Sequence, residues 1–450
     1  MKKIFLGTLI LITIFSSTSC VKVNFEDGGA IVTPVDPTSN IITGVISSSK
    51  FYAKGKWILK GYVYVTNGAT ITFEAGCVVQ SDVTEKGALI IERGAKLIAS
   101  GTAANPIVFT SGKPVGSRAP GDWGGIILLG KAPTNRPLDP APTIEGGVGR
   151  LYGGTDPLDE SGILRFVRIE YAGIAAEPGS EINGLTMGGV GSGTIIENIQ
   201  VSFGNDDAYE FFGGTVNAKN LVAFATADDD FDFDFGYTGK IQFGVSCRKP
   251  DFVDAGDAGN GIECDNDAAS TLATPRTKPQ LSNFTIVGPN DAAGTAGNHN
   301  FSNRWRRATQ FVLRNSILIG HPDAGFSTES DATLNDYYVN NISEFKNNLV
   351  HATVLPYKTA NAVIATNALI QAKAESEGCI TLATSAAAQL TSPFYSTSPN
   401  FLPVVGSPAL SGTSFAGMNA FFTNTTYRGA FGTTNWTSGW CNWDPQNAAY

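Results

Sequence analysis

Asp228-Asp229-Asp230-Phe231-Asp232-Phe233-Asp234-Phe235 alternates acid and aromatic without a break from 230 to 235. A period of two is the mark of a strand with one face buried and one wet. It predicts Phe231, Phe233 and Phe235 pointing inward, and Asp230, Asp232 and Asp234 outward. The stretch Asp206-Asp207-Ala208-Tyr209-Glu210-Phe211-Phe212-Gly213-Gly214 overlays it at a constant offset of 22 residues. Acid falls on acid at 206/228, 207/229 and 210/232, and aromatic on aromatic at 209/231 and 211/233. Strands that return at a fixed interval belong to a chain winding a coil.

The coil extends in both directions. Asn followed by a short apolar strand occurs at Asn198, Asn220, Asn283, Asn315 and Asn347, with Gln242 expected to take the place of Asn in the coil between. An earlier copy without Asn is Arg165-Phe166-Val167-Arg168-Ile169. Such Asn residues either stack as a hydrogen-bonded column or mark turns. Toward the N-terminus, short strands such as Tyr62–Val65, Thr70–Phe73 and Leu89–Ile91 are punctuated by Gly68, Gly76, Gly87 and Gly94. No long amphipathic helix is expected. Strands this short, glycine corners (51 Gly in 450 residues) and a period of roughly 20–30 residues predict an all-β fold, a single-stranded parallel β-helix.

The formal charge is −9 and only 16% of residues are charged. With no basic run interleaved with aromatics, nucleic acid is not expected as a partner. Lys2 and Lys3 followed by the apolar run Ile4–Phe15 read as a signal peptide over 1–19, too short to span a membrane. Ser16-Ser17-Thr18-Ser19-Cys20 resembles a bacterial lipoprotein cleavage site, which implies a lipid on Cys20, although Ser17 stands where such sites usually carry Leu. Residues 20–54 then form a lipidated start and tether, and 55–450 the β-helix domain. Acidic residues soon after Cys20, Glu26 and Asp27, look like a surface-export signal. The expected location is the outer membrane of a Gram-negative bacterium, facing the cell surface.

Further motifs carry a family resemblance. Gly101-Thr102-Ala103-Ala104-Asn105-Pro106-Ile107-Val108-Phe109-Thr110, Gly121-Asp122-Trp123-Gly124-Gly125-Ile126, Asn183-Gly184-Leu185-Thr186-Met187-Gly188-Gly189 and Trp436-Thr437-Ser438-Gly439-Trp440-Cys441-Asn442-Trp443 resemble exported, pectin-lyase-like β-helix lipoproteins of Bacteroidota. The resemblance implies a right-handed coil with loop insertions and capped ends, and no single activity. Residues 400–450, with their tryptophans, are expected to cover an open end.

The chemistry is expected on the acid column. Rungs of a parallel coil lie ~4.8 Å apart, so Asp206, Asp207 and Glu210 would sit under Asp228, Asp229 and Asp232. Like charges that close repel, and the column is expected to bind a cation, hold protons or spread into solvent. Oxygen donors without His or Cys favour Ca²⁺. An acidic insertion over 247–280, carrying Asp251, Asp254, Asp257, Glu263, Asp265 and Asp267, is expected beside it. Proximity makes Cys247–Cys264 and Cys379–Cys441 the natural disulfides, with reduced thiols as the alternative. Phe212, Tyr152 and Tyr237 are candidate sugar platforms. The expected function is binding of a glycan, matrix or surface protein, with calcium as the cation, rather than catalysis. The alternative is a polysaccharide lyase or glycoside hydrolase using Asp207, Asp229, Asp230 and Arg306; a structural spacer is the second alternative. Arg304, Arg306 and Arg307 form the one dense basic group, and Arg306 and Arg307 equally suit pairing with acids across coils.

Overall fold

The computed structural model describes residues 33–34, 39–177 and 180–450. Lys2, Lys3, Cys20, Glu26 and Asp27 lie outside them. The chain forms a right-handed parallel β-helix whose strands stack into three ladders. One ladder carries the opening motif: Gly125–Leu129, Leu185–Gly188, Tyr209–Phe212, Phe231–Asp234, Glu263–Cys264 and Arg304–Trp305 pair in parallel, rung on rung. The register follows the repeat, with Tyr209 opposite Phe231 and Glu210 opposite Asp232.

The other two ladders are joined by strands that bend. Gly162–Glu170, Ile195–Ser202, Asn217–Phe224 and Lys240–Cys247 each cross from one face to the next. Their bends fall at Phe166, Asn198, Asn220 and Phe243, with φ of 49, 57, 59 and 67°. In the following coils Asn283, Asn315 and Asn347 take the same left-handed conformation, at 59, 55 and 59°. Asn tolerates this region better than other residues with a side chain because its short amide bonds locally. The Asn signature therefore marks a corner between two faces. Gln242 does not replace Asn there; its neighbour Phe243 makes the turn.

Alternation fills the interior. Tyr209, Phe211, Phe231 and Phe233 are buried in it. Tyr209 stacks on Phe231 at 5.2 Å and Phe211 on Phe233 at 4.9 Å. The repeated aromatics thus become a stacked column. Phe235, expected inside, adopts φ 47° and leaves the interior; Tyr237 takes its place, 5.3 Å from Phe233. Asp230 turns inward instead of outward, because it belongs to the turn before the strand Phe231–Asp234, and Ala208 occupies the same place in the interior one rung below.

The outer surfaces of two faces are apolar and covered. Residues 130–160 bring Ile144, Val148 and Tyr152 over Ile90, Ile127 and Leu129. Residues 382–443 cover Val222, Phe224, Val245 and Val287 with Phe401, Phe431 and Trp440. The segment 400–450, expected over an end, thus lies along the side. It is tied down by Asn315 Nδ2 to Ser414 O (3.1 Å), Gln242 Nε2 to Thr423 O (2.7 Å), Gln200 Nε2 to Asn442 O (2.8 Å) and Tyr450 Oη to Glu170 (2.6 Å). The late end of the interior is closed by a helix that the sequence reading lacked, Asn367–Ser376, which buries Ile370 and Ala374.

The expected disulfides are not formed. Cys247, Cys264, Cys379 and Cys441 are free thiols, as is Cys77. Cys264 lies in the interior beside Thr309, while Cys247 faces the outer apolar layer beside Pro393. The sheet wall separates them, although the two are close in sequence. Nor is 247–280 one insertion: the rung strand Glu263–Cys264 divides it into two loops. Among the described residues, no helix is long and apolar enough to cross a membrane.

Candidate functional site

On the face that carries the rungs Tyr209–Phe212 and Phe231–Asp234, between its covered part and its later coils, lies a groove of about 310 Å³. Among the described residues, twelve carboxylates and two arginines line it. The rungs supply the first acids: Glu210 stands under Asp232, and Asp232 under Glu263. The turns entering those rungs supply Asp206, Asp207, Asp228 and Asp229. Asp257, Asp234 and Asp265 add to the wall, and Glu145 and Glu181 complete it from the earlier coils.

The turns are held in register by their own side chains. Asp207 Oδ1 accepts from Asp229 N at 2.8 Å, Asp229 Oδ1 from Asn260 N at 2.6 Å, and Asn260 Oδ1 from Phe301 N at 3.2 Å. Each of these residues spends one oxygen on the rung above. Asp207 and Asp229 each keep a second oxygen for the groove. Asn183, one rung earlier, donates to Glu210 and to Glu145 Oε1 at 3.2 Å.

Two sets of three carboxylates converge. Oxygens of Asp206, Asp207 and Asp228 lie within 4.8 Å of one another, and so do those of Asp207, Glu210 and Asp232. Asp207 belongs to both. Asp232 Oδ1 and Asp234 Oδ1 are buried without a hydrogen-bond partner. Burial pushes the carboxyls of Asp206, Asp207, Glu210, Asp229, Asp232 and Asp234 well up, and their neighbours' charges push the same way. Asp228 is pushed up to about 7 by burial and by Asp257 and Glu263. Burial also pushes the carboxyl of Glu145 up, beside Glu210. So many acids cannot all be ionised here without a cation, and without one some of them keep their protons.

The basic end is already paired. Arg306 binds Glu263 and, at 2.8 Å, Asp265 Oδ1; Arg307 binds Asp265 Oδ2 at 2.6 Å; Arg304 joins Glu263 and Glu329 at 3.2 and 2.6 Å. Burial opposes the charge of Arg306, but Glu263 and Asp265 outweigh it and hold the guanidinium protonated.

The structure thus brings together Asp206, Asp207, Glu210, Asp228, Asp229, Asp232 and Arg306. It removes Asp230, which is fully buried, accepts the hydroxyls of Thr226 and Ser246, and pairs with Arg248 at 3.2 Å. The acids of 247–280 split likewise. Asp257, Glu263 and Asp265 reach the groove, whereas Asp251 pairs with Lys249, and Asp254 and Asp267 bond their own loops. The sugar platforms fail as well: Phe212 and Tyr152 pack on each other at 6.0 Å, and Tyr237 is buried in the interior. Asn183, Glu145 and Glu181 were missed. For Asn183 a signal existed, since Asn183-Gly184-Leu185 precedes its rung as Asp207-Ala208-Tyr209 does; Glu145 comes from a loop with no repeat to align.

Residues 44–392 match the family described as pectate-lyase like beta helix domain. Among solved structures, the chain is similar to a pectate lyase, with 10% identity and a TM-score of 0.38 over 85% of this chain and 87% of that one. It is also similar to the catalytic domain of a GH87 alpha-1,3-glucanase in complex with tetrasaccharides, with 11% identity and a TM-score of 0.24 over 70% of this chain and 54% of that one. No curated protein matches.

Proposed function

Since the chain belongs to the pectate-lyase-like β-helix family, we propose that its acidic groove is a glycan-binding site loaded with a divalent cation. The observation that carries this reading is the sharing of Asp207 between two converging sets of carboxylates. The donors fit the ion. They are hard oxygens, with no His or Cys among the lining residues, a set that suits Ca²⁺ better than zinc or copper. The partnerless oxygen of Asp232, a member of the second set, is what a cation would satisfy. Asp206, Asp207, Glu210, Asp228, Asp229 and Asp232 would hold it. A bound cation would neutralise the groove and offer open coordination positions to sugar oxygens. Arg306 and Arg307 keep the far wall rigid by clamping Glu263 and Asp265.

The sequence around Cys20 supports a lipid anchor that would hold the groove at the cell surface. Replacement of Cys20 by Ser is expected to move the protein from the membrane fraction to the soluble one.

The test is a glycan array probed with and without calcium. Retention that requires calcium and disappears in Asp207→Asn supports the reading; equal retention in chelator sinks it. Retention by a surface protein instead would make the partner a protein. A second reading, glycoside hydrolysis, is favoured by one feature: Asp228 and Glu263 are pushed up to about 7, the range of a general acid. New reducing ends from a bound glycan would establish it. A lyase using Arg306 as base is disfavoured by the two carboxylates that keep this guanidinium charged.

A further inference from the structure

We propose that Arg248 is the positioning residue of the cation site, holding from behind the turn that presents Asp228 and Asp229. The inference rests on the cation reading of the groove. Arg248 is fully buried, one residue beyond the strand Lys240–Cys247. Its Nη2 donates to Ala227 O at 3.0 Å, and its Nη1 donates to Asp228 O and pairs with Asp230 Oδ1 at 3.2 Å. One planar group thus grips residues 227, 228 and 230, and the carboxylates of Asp228 and Asp229 leave the same turn toward the groove. An ammonium could not make these contacts together, because it lacks the forked donors.

The surroundings are built for this grip. The hydroxyls of Thr226 and Ser246 complete the shell of Asp230, so the ion pair is neutral as a unit and sets no net charge against a cation in the groove. His299 backs the guanidinium. Its Nε2 lies 3.1 Å from both Lys249 O and Pro250 O, which can only accept, so Nε2 carries the hydrogen. Nδ1 is then a bare acceptor, 3.5 Å from Arg248 Nε. Gly259 completes the seat: a β-carbon there would collide with Arg248 Nη2 and stand 2.9 Å from Ala227 O.

Calcium titration calorimetry and amide hydrogen exchange on the full chain test the proposal. Arg248→Lys keeps the charge and loses the fork. Gly259→Ala leaves the guanidinium itself intact but presses on it and on Ala227 O of the same turn, and serves if Arg248→Lys does not fold. Arg428→Lys is the structural control, since Arg428 is buried and binds Asn347 O at 2.7 Å and Gly378 O at 3.1 Å, away from the groove. Either groove variant is expected to bind calcium about tenfold to a hundredfold more weakly, with faster exchange of the amides of residues 227–230. Arg428→Lys should melt earlier with unchanged affinity. Groove variants whose affinity and exchange match wild type overturn the role of Arg248. A wild type that takes up no calcium overturns the cation site itself, and the exchange result then reports separately on the grip.

Discussion

At the scale of single residues, Asp207 joins the fold to the proposed chemistry. One oxygen holds the rung above and the residue serves both carboxylate sets. Asp207→Asn keeps the shape and removes the charge. At calcium about a hundredfold above its dissociation constant, wild type should gain about 2.7 kcal/mol, and the variant should lose most of that gain in a melting experiment. Without cation, pH acts through the raised carboxyls. An acid held up in the folded state keeps its proton where the unfolded chain has lost it. Its contribution is therefore full below about pH 4, the unfolded range, and is lost as pH rises through the folded value, about 7 for Asp228 and Glu263. In chelator, Tm should fall from pH 4 to pH 8 and calcium should restore it; a Tm that climbs over that range contradicts the assignment. The acid column was legible in the sequence because the repeat equals one coil, so an offset in the chain became a vertical neighbour. Asp230 and Phe235 were misread because alternation holds only inside the strand, and both lie in the turns that bound it.

At the scale of elements, the corner residues decide how the coil turns. Asn220 adopts φ 59° and is half-buried. Alanine there should cost about 1 kcal/mol in denaturant unfolding, because left-handed backbone penalises a β-carbon, while glycine should come close to wild type. Equal effects of the two would mean that the side chain, not the turn, matters. Inside the rung, Phe233 is fully buried between Phe211 and Tyr237. Phe233→Ala should cost about 3–5 kcal/mol, and a loss below 1 kcal/mol would contradict a packed aromatic column. The Asn signature showed that a turn was present; that it joins two sheet faces needed the structure, since the same residue in a simple loop leaves the same mark. The helix Asn367–Ser376 escaped notice because only Ile370 and Ala374 are buried, too few to print a period.

At the scale of the molecule, the solenoid is sealed sideways by its own late chain. Gln200 meets Asn442 and Glu170 meets Tyr450 across most of the sequence, and no local pattern announces such pairs. A chain ending at Leu410 loses Phe431, Trp440 and Trp443, and should expose the side of Phe224 that packs on Trp443 and bind a hydrophobic dye; a truncated protein that stays dye-free and melts like wild type would show that this part of the cover is dispensable. The same covering logic leaves the groove as the open stretch of the face that carries Tyr209–Phe212 and Phe231–Asp234, bordered by residues 130–160 on one side and by the arginine-paired rungs on the other. Anomalous diffraction from crystals soaked in terbium, a luminescent and strongly scattering stand-in for calcium, tests most directly whether stacking has built a cation site. The predicted result is a peak among Asp207, Glu210 and Asp232 or among Asp206, Asp207 and Asp228; a groove with no peak, or with peaks on exposed acids elsewhere, would contradict it.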